Sequence, residues 1–422
     1  MKIAVVGAGW AGLAAAVRAA QAGHRVTVFE AAAMPGGRAR SDDDGDSAID
    51  NGQHILLGGY ARTLALMREV GVDVDRAFVR RPLQLAYPDG TGFALPGAGN
   101  RLLGGLRALT GARGFDVADK LSALAMAADW RWRRFRCAPE LTVAALLRRW
   151  PTGRVRRRLV EPLCVAALNT PIDAASAQVF LAVMRDSLFG ARGASDLLVP
   201  RLPLARLLPL PALAWLRTHG AQVRLRTRVT ELLPSGDGWL VGPDSERFDR
   251  VILATPATEA ARLAAPLAPA WAACAGALVH EPIVTVTLRA PMRAWAAPML
   301  ALEGGPAQFA FRVEPAAAEG IDRVVLVASA AASVLEAGSD AVAAATVAQF
   351  RAAFGIQSNE AVVIETVRAD KRATFRCSAG LVRPPRRVAP GLLAAGDYVD
   401  GPYPATLEAA VIAGEAAADD LE

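Results

Sequence analysis

Apolar and polar positions divide the 422-residue chain into segments of differing period. Residues 2–6 (KIAVV) read as a short buried parallel strand, followed by an alanine-rich helical pattern from Trp10 to about Ala22. Gly23 stops that helix, and HRVTVFE (24–30) reads as a second buried strand ending on Glu30. Residues 100–160 read as mostly helical. AQVRLRTRVTELLPSGDGWLVG (221–242) alternates like a β-meander turning at SGDG, and FDRVILATP (248–256) is a buried strand leaving through small residues. Further on, PIVTVTLR (282–289) and DRVVLVAS (322–329) read as strands, with a helix over 339–354. A last strand and helix are expected within 390–421, the helix from about Thr406. The Pro-rich stretch at 200–211 reads as non-regular.

The turn between the first strand and first helix carries the clearest chemistry. Gly7 permits a tight turn, Gly9 lets the backbone approach a pyrophosphate, and Gly12 lets the helix lie close to the strand. The helix N-terminus faces the negative charge, and Glu30 is placed to accept hydrogen bonds from a ribose diol. A lone G-x-G-x-x-G is weak evidence, but strand, helix, second strand and terminal acid are all present, so a bound dinucleotide is expected. A signal peptide would also begin with a lysine and an apolar run, but it would not need glycines at this spacing.

Composition narrows the class. Apolar residues make up 53% of the chain and charged residues 21%, enough for a large core. The net charge of +6 comes almost wholly from arginine, lysine occurring only at positions 2, 120 and 371. A basic chain suits an anionic membrane or nucleic acid, yet no nucleic-acid motif accompanies the charge, so nucleic acid is not an expected partner. The four cysteines are far apart and form no C-x-x-C pair, which fits a reducing cytoplasm, and no metal is expected. No charge-free apolar run reaches the ~20 residues of a membrane span.

MPGGRARS (34–41) adds a second glycine pair, Gly36–Gly37, and Arg38. It resembles the G-G-R segment of the flavin-containing amine oxidase and carotenoid desaturase superfamily, which lies along the pyrophosphate and flavin of FAD. The Gly396–Asp397 pair and the helix after it resemble that superfamily's closing motif. The resemblance implies FAD as cofactor and an α/β fold: a Rossmann-type FAD-binding domain of glutathione-reductase-like, amine oxidase type, assembled from 1–75, 215–260 and 385–422. Residues 76–214 and 261–384 would then form a mixed α+β substrate domain. The FAD contacts implied are Gly7, Gly9, Ala11, Gly12, Glu30, Gly36, Gly37, Arg38, Gly52, Gln53, Val229, Gly396, Asp397, Thr406 and Leu407. Val229 would contact adenine through its backbone, Asp397 would bind the ribitol chain, and Thr406 and Leu407 would face the flavin's pyrimidine edge.

EPLCVAALNTPIDAASAQVF (161–180), RDSLFGARGASDLLVP (185–200), KRATFRCSAGLVRPP (371–385) and DNGQHILLGGY (50–60) are similar to the squalene-associated FAD-dependent desaturase family, whose members act as hydroxysqualene dehydroxylases. Tyr398 departs from the family pattern, which has tryptophan there. The resemblance implies a polyprenyl substrate whose allylic hydroxyl leaves as water while reduced flavin gives a hydride. It also implies a head-to-head prenyl synthase of the same pathway as a partner. Hydroxide is a poor leaving group, so an acid is needed. A histidine in an apolar run is ordinarily a hydrogen-bonded core residue. In this superfamily, however, the segment after G-G-R passes beneath the flavin, which makes His54 the candidate acid. Asp50 would orient it or cap a turn. Competing readings are an oxidative isoprenoid desaturase, an amine oxidase, and a non-catalytic prenyl-binding escort. The basic-aromatic runs DWRWRRFRCAP (129–139) and RRWPTGRVRRRL (148–159) read either as solvated faces or as a contact with an anionic membrane, implying a cytoplasmic protein held at the inner face of the membrane.

Overall fold

The protein, seen in a computed structural model, is described over residues 1–43, 50–52, 54–95, 101–291, 299–313 and 321–421. It divides into two compact units: residues 1–80, 197–278 and 382–422, and residues 81–196 and 279–381.

The first unit is built on a six-stranded sheet. Its strands are β1 (Lys2–Val6), β2 (Arg25–Phe29), β3 (Gln222–Arg224), β4 (Arg250–Leu253), β5 (Arg387–Ala389) and β6 (Leu392–Ala394), in the spatial order β5-β6-β4-β1-β2-β3. Every pairing is parallel except β5 with β6. Parallel strands covered on both faces need apolar residues throughout, and four of the five residues in β1 and in β2 are fully buried. Helices α1 (Trp10–Gln21), α2 (Ala61–Glu69), α3 (Pro209–Thr218) and α4 (Leu407–Asp419) include the cover on one face. An antiparallel meander of strands 232–235, 238–241 and 246–248 covers the other, packing Trp239 and Phe248 against Ala4, Val6 and Phe29.

Two glycines set the spacing of this unit. A Cβ on Gly12 would lie 1.9 Å from the carbonyl oxygen of Gly7, so only glycine lets α1 sit this close to its own turn. A Cβ on Gly414 would lie 2.1 Å from the Ala11 carbonyl oxygen, so α4 crosses α1 backbone to backbone.

The unit boundaries differ from those expected at 215, 260 and 385, because 197–214 and 261–278 belong with the sheet. Leu197 and Leu198 pair with Leu57 and Leu56, and α3 packs on α1. The Trp271 indole donates to the Pro385 carbonyl at 2.7 Å. The Pro-rich stretch is also helical rather than irregular, forming a turn at Leu204–Leu207 followed by α3. Pro209 opens α3, where a missing N–H costs nothing, and Leu204, Leu207, Leu208 and Leu213 are buried.

The second unit holds a five-stranded antiparallel sheet, ordered 299–301, 309–313, 321–328, 280–291 and 363–375. The Ser339–Phe354 helix packs on it through Val342, Ala343 and Phe350. The remainder of this unit is mainly helical.

The LNTP segment fastens helix to sheet. Asn169 ends the Glu161–Leu168 helix in the left-handed conformation (φ 45°), which asparagine tolerates better than most residues. Its side-chain amide donates to the Glu281 carbonyl (3.1 Å) and Thr374 Oγ1 (2.9 Å), and its oxygen accepts from the Ala330 N–H (2.7 Å). The neighbouring Thr170 hydroxyl accepts from the Cys377 N–H at 3.0 Å. Asn169→Ala should therefore cost about 2–4 kcal/mol, through orphaned buried groups and left-handed strain. Asn169→Gly relieves the strain alone and should recover about 1 kcal/mol of that loss. Urea unfolding of both variants measures this; an alanine variant within about 0.5 kcal/mol of the parent contradicts it.

Candidate functional site

The segments expected to hold the dinucleotide converge within the first unit. At the end of β1, Gly7 has φ 110° and donates to the Phe29 carbonyl at 2.7 Å. The first i→i−4 bond of α1 runs from Leu13 to Gly9, so the Trp10, Ala11 and Gly12 N–H groups precede it at the positive end of the helix. Gly9 caps this end without a side chain, and no acid occupies the first turn. An anion is the natural complement of such an end.

The second glycine pair lies directly against the first. The Gly36 N–H donates to the Ala8 carbonyl at 2.8 Å, and Gly9 and Gly36 form a parallel bridge. A Cβ on Gly37 would sit 3.2 Å from Gly9 Cα, so two bare backbones line one space. The Trp10 indole donates to the Ala39 carbonyl (2.9 Å) and holds the second loop in place. At the end of β2 the Glu30 carboxylate accepts from the N–H groups of Ala8 (2.7 Å) and Ala32 (2.8 Å). Residues 226 and 227 run beside it, bonded to the Ala32 and Glu30 carbonyls, while Val229 itself is buried among Ala4, Val6 and Phe29.

The closing motif reaches the same place. Arg38 donates through one nitrogen to both Asp397 oxygens, at 2.6 and 2.5 Å, and the Asp397 side chain is almost wholly buried. Arg383 braces the loop by donating to the Tyr403 carbonyl (2.9 Å) and the Asp397 carbonyl (3.3 Å). Thr406 caps α4, its hydroxyl accepting from the Ala409 N–H at 3.1 Å, and Leu407 begins the helix. A Cβ on Gly396 would fall 2.5 Å from the Tyr398 ring, so glycine makes room for that ring.

The sequence pointed to neither Glu408 nor Thr255, and to Tyr398 only as a departure from the family pattern. Glu408, in the first turn of α4, is buried and accepts from the N–H groups of Arg62 and Thr63 (both 2.9 Å) and from the Thr63 hydroxyl (2.7 Å). It thereby supplies the cap that α2 lacks from its own N-cap residue, Tyr60. The hydroxyls of Thr255 and Tyr398 are buried and find no hydrogen-bond partner among the described residues. Burial and the Asp397 carboxylate push the Tyr398 phenol well above its ordinary value, so it is a donor. Thr255 in ATP, immediately beyond β4, and the tyrosine standing for an expected tryptophan were the available signals. Buried unpaired hydroxyls beside a bare glycine cradle suit a polar ligand with oxygen and nitrogen acceptors, as FAD is.

His54 is half-buried, with Nδ1 3.0 Å from the Gly52 carbonyl oxygen, which places the proton on Nδ1 in the neutral ring. Asp50 accepts from the Ser41 hydroxyl (2.7 Å) and the Leu204 N–H (2.9 Å), bonds that cap the Leu204–Leu207 turn. Of its two expected roles, these are the bonds of a cap. Gln53 lies outside the described residues. Among the described residues no group of three or more metal-ligating side chains gathers.

A parallel sheet with a glycine turn, an acid ending the second strand and a closing Gly–Asp loop defines an FAD-dependent oxidoreductase. Residues 10–421 match the family described as flavin containing amine oxidoreductase, and the chain belongs to that family. Over 98% of its length it is 31% identical to 97% of a hydroxysqualene dehydroxylase from Sinorhizobium fredii. Over the same share it is 27% identical to 97% of a hydroxysqualene dehydroxylase from Zymomonas mobilis. An oxidoreductase from Methanosarcina mazei has a similar fold, with TM-score 0.78 at 16% identity and 100% of both chains covered.

The two glycine substitutions should fail differently. Gly9 has φ −73° and only Gly37 Cα near its would-be Cβ (3.8 Å), so Gly9→Val should fold, with native circular dichroism, but purify without flavin colour. Gly12→Val drives a side chain into the Gly7 carbonyl and should lower stability or solubility outright. A yellow, flavin-loaded Gly9→Val protein would defeat the pyrophosphate assignment.

Proposed function

We propose that this chain removes the allylic hydroxyl of hydroxysqualene reductively, giving squalene and water. The observation that carries this reading is the likeness, over nearly the whole chain, to hydroxysqualene dehydroxylases, supported by the convergence of the glycine turn, the second glycine pair and the closing loop within one unit. FAD, when bound and reduced, supplies the hydride. In the balance, one hydride and one proton are consumed, the C–O bond breaks, a C–H bond forms and the hydroxyl leaves as water.

The chain's own residues divide the remaining work. Gly7, Gly9, Ala11 and Gly12 hold the pyrophosphate on the α1 N-terminus, with Gly36, Gly37 and Gly52 as bare backbone along the cofactor. Glu30 holds the adenosine ribose and the Val229 backbone the adenine. Arg38 and Asp397 are assigned to pyrophosphate and ribitol, and Thr406 and Leu407 present backbone N–H groups to the pyrimidine edge. His54, as imidazolium, donates the proton that lets the hydroxyl leave as water. Asp50 acts through the backbone as a positioning residue, fixing the loop that carries His54. On this reading the second unit is the substrate domain, a head-to-head prenyl synthase supplies the substrate, and the enzyme works at the inner face of the membrane.

Anaerobic mixing of dithionite-reduced holoenzyme with hydroxysqualene should yield squalene and reoxidise the flavin stoichiometrically. Failure to form squalene, with the oxidised holoenzyme instead reduced by an isoprenoid hydrocarbon or an amine, would move the chain to an oxidative activity.

His54→Ala should keep its flavin yet slow single-turnover reoxidation by about 10²–10⁴-fold. A hydroxysqualene derivative with a leaving group that needs no proton should restore most of the rate. An unchanged rate with a lowered melting temperature would make His54 a core residue.

A further inference from the structure

The second unit presents an amphipathic surface that the chemistry above does not use. The Val117–Trp132 helix buries Asp119, Ala123, Met126 and Trp130. Its opposite face should be polar if it met only water. Instead Val117 is 73% exposed, Leu121 60%, Leu124 40% and Trp132 88%. At about 100° per residue, these four and the exposed Ala128 fall within an arc of about 80°, diametrically opposite the buried stripe. The helix is apolar on both sides.

Around that face the cations Arg131, Arg133, Arg134 and Arg136 outnumber the acids Asp116 and Asp129. Trp130 and Phe135 point inward, Trp130 edge-on to Phe180 (5.8 Å) and Phe135 against Phe189 (5.1 Å). Arg134 (φ 52°) and Phe135 (φ 56°) are both left-handed, so the chain turns sharply just after the helix. That turn leaves Arg131, Arg133, Arg134 and Arg136 exposed beside Trp132. Only Arg133 among them meets an acid among the described residues, Asp129 at 3.0 Å. In the second basic run Arg154 pairs with Asp119 (3.1 Å) and Arg158 with Asp89 (2.9 Å) and Glu303 (2.5 Å), while Arg148, Arg149 and Arg157 are exposed. The apolar stripe begins before either basic run, at Val117.

We propose that the outward face of the Val117–Trp132 helix, with the arginine turn that follows it, docks the protein on an anionic phospholipid surface. An in-plane helix immerses an apolar stripe while cations flank it, and tryptophan prefers the boundary where hydrocarbon meets head groups. The absence of acid from the stripe and the unpaired Arg131, Arg134 and Arg136 select a negative partner over a neutral one. A second copy of this chain would bring the same arginines against themselves, which disfavours a symmetric dimer through this face. The inference stands on the helix alone and does not depend on the identity of the substrate.

The test is cosedimentation of the holoprotein with vesicles of phosphatidylcholine, or of equal parts phosphatidylcholine and phosphatidylglycerol. The parent should bind the mixed vesicles and release in high salt. Replacing Arg131, Arg134 and Arg136 by glutamine should weaken binding by roughly a hundredfold. Leu121→Ser with Leu124→Ser and Trp132→Ala should weaken it by at least about tenfold at unchanged charge. Both variants should keep the parent's flavin absorbance and melting temperature, since every altered side chain is exposed. A parent that leaves the mixed vesicles in the supernatant overturns the proposal, as does variant binding equal to the parent's. So does sedimentation equilibrium showing a dimer that the Leu121, Leu124 and Trp132 substitutions dissociate.

Discussion

The first unit depends on backbones meeting without side chains between them. Gly12 against the Gly7 carbonyl sets α1 on its turn, and Gly414 against the Ala11 carbonyl sets α4 on α1. Both contacts fall at the α1 N-terminus, so the spacing that packs the core also places the helix end proposed to meet the pyrophosphate. Packing and ligand geometry are fixed by the same few atoms, and a methyl group at either glycine disturbs both.

The Arg38–Asp397 pair joins segments 359 residues apart. A carboxylate this buried is costly to leave unpaired, so the guanidinium supports the closing loop. Glu408 works similarly from the next turn, tying α4 to the start of α2 through three hydrogen bonds. The cofactor residues are thus held by contacts between distant segments, and the loops that carry them are braced from several sides.

Much of this was legible in the chain. β1, α1, β2, the final strand and the Thr406 cap follow from local patterns whose physical causes act over a few residues. The glycine spacing located the cradle because positive φ and close approach leave a direct mark on sequence. The stretch at 200–211 misled, since proline count signals irregularity while Pro209 sits where a helix accepts it. Asp50 was legible as an acid near His54, but its bond to the Leu204 N–H depends on a segment 154 residues away. The LNTP segment was recognisable as a family mark, yet its role as a fastening between helix and sheet required the Asn169 partners to be seen. The exposed stripe at Val117, Leu121, Leu124 and Trp132 was hidden because an apolar residue at helical spacing reads as core on either face.

The order in which the sheet is completed bears on how the protein comes to exist. β1 and β2 are synthesised first, but their neighbours β3, β4 and β6 follow after residues 222, 250 and 392, and α4 later still. Until then one side of α1 and the inner edge of the sheet lack their cover, and the Asp397 half of the ion pair has not been made. A nascent chain therefore carries exposed apolar surface through most of translation, a state prone to aggregation.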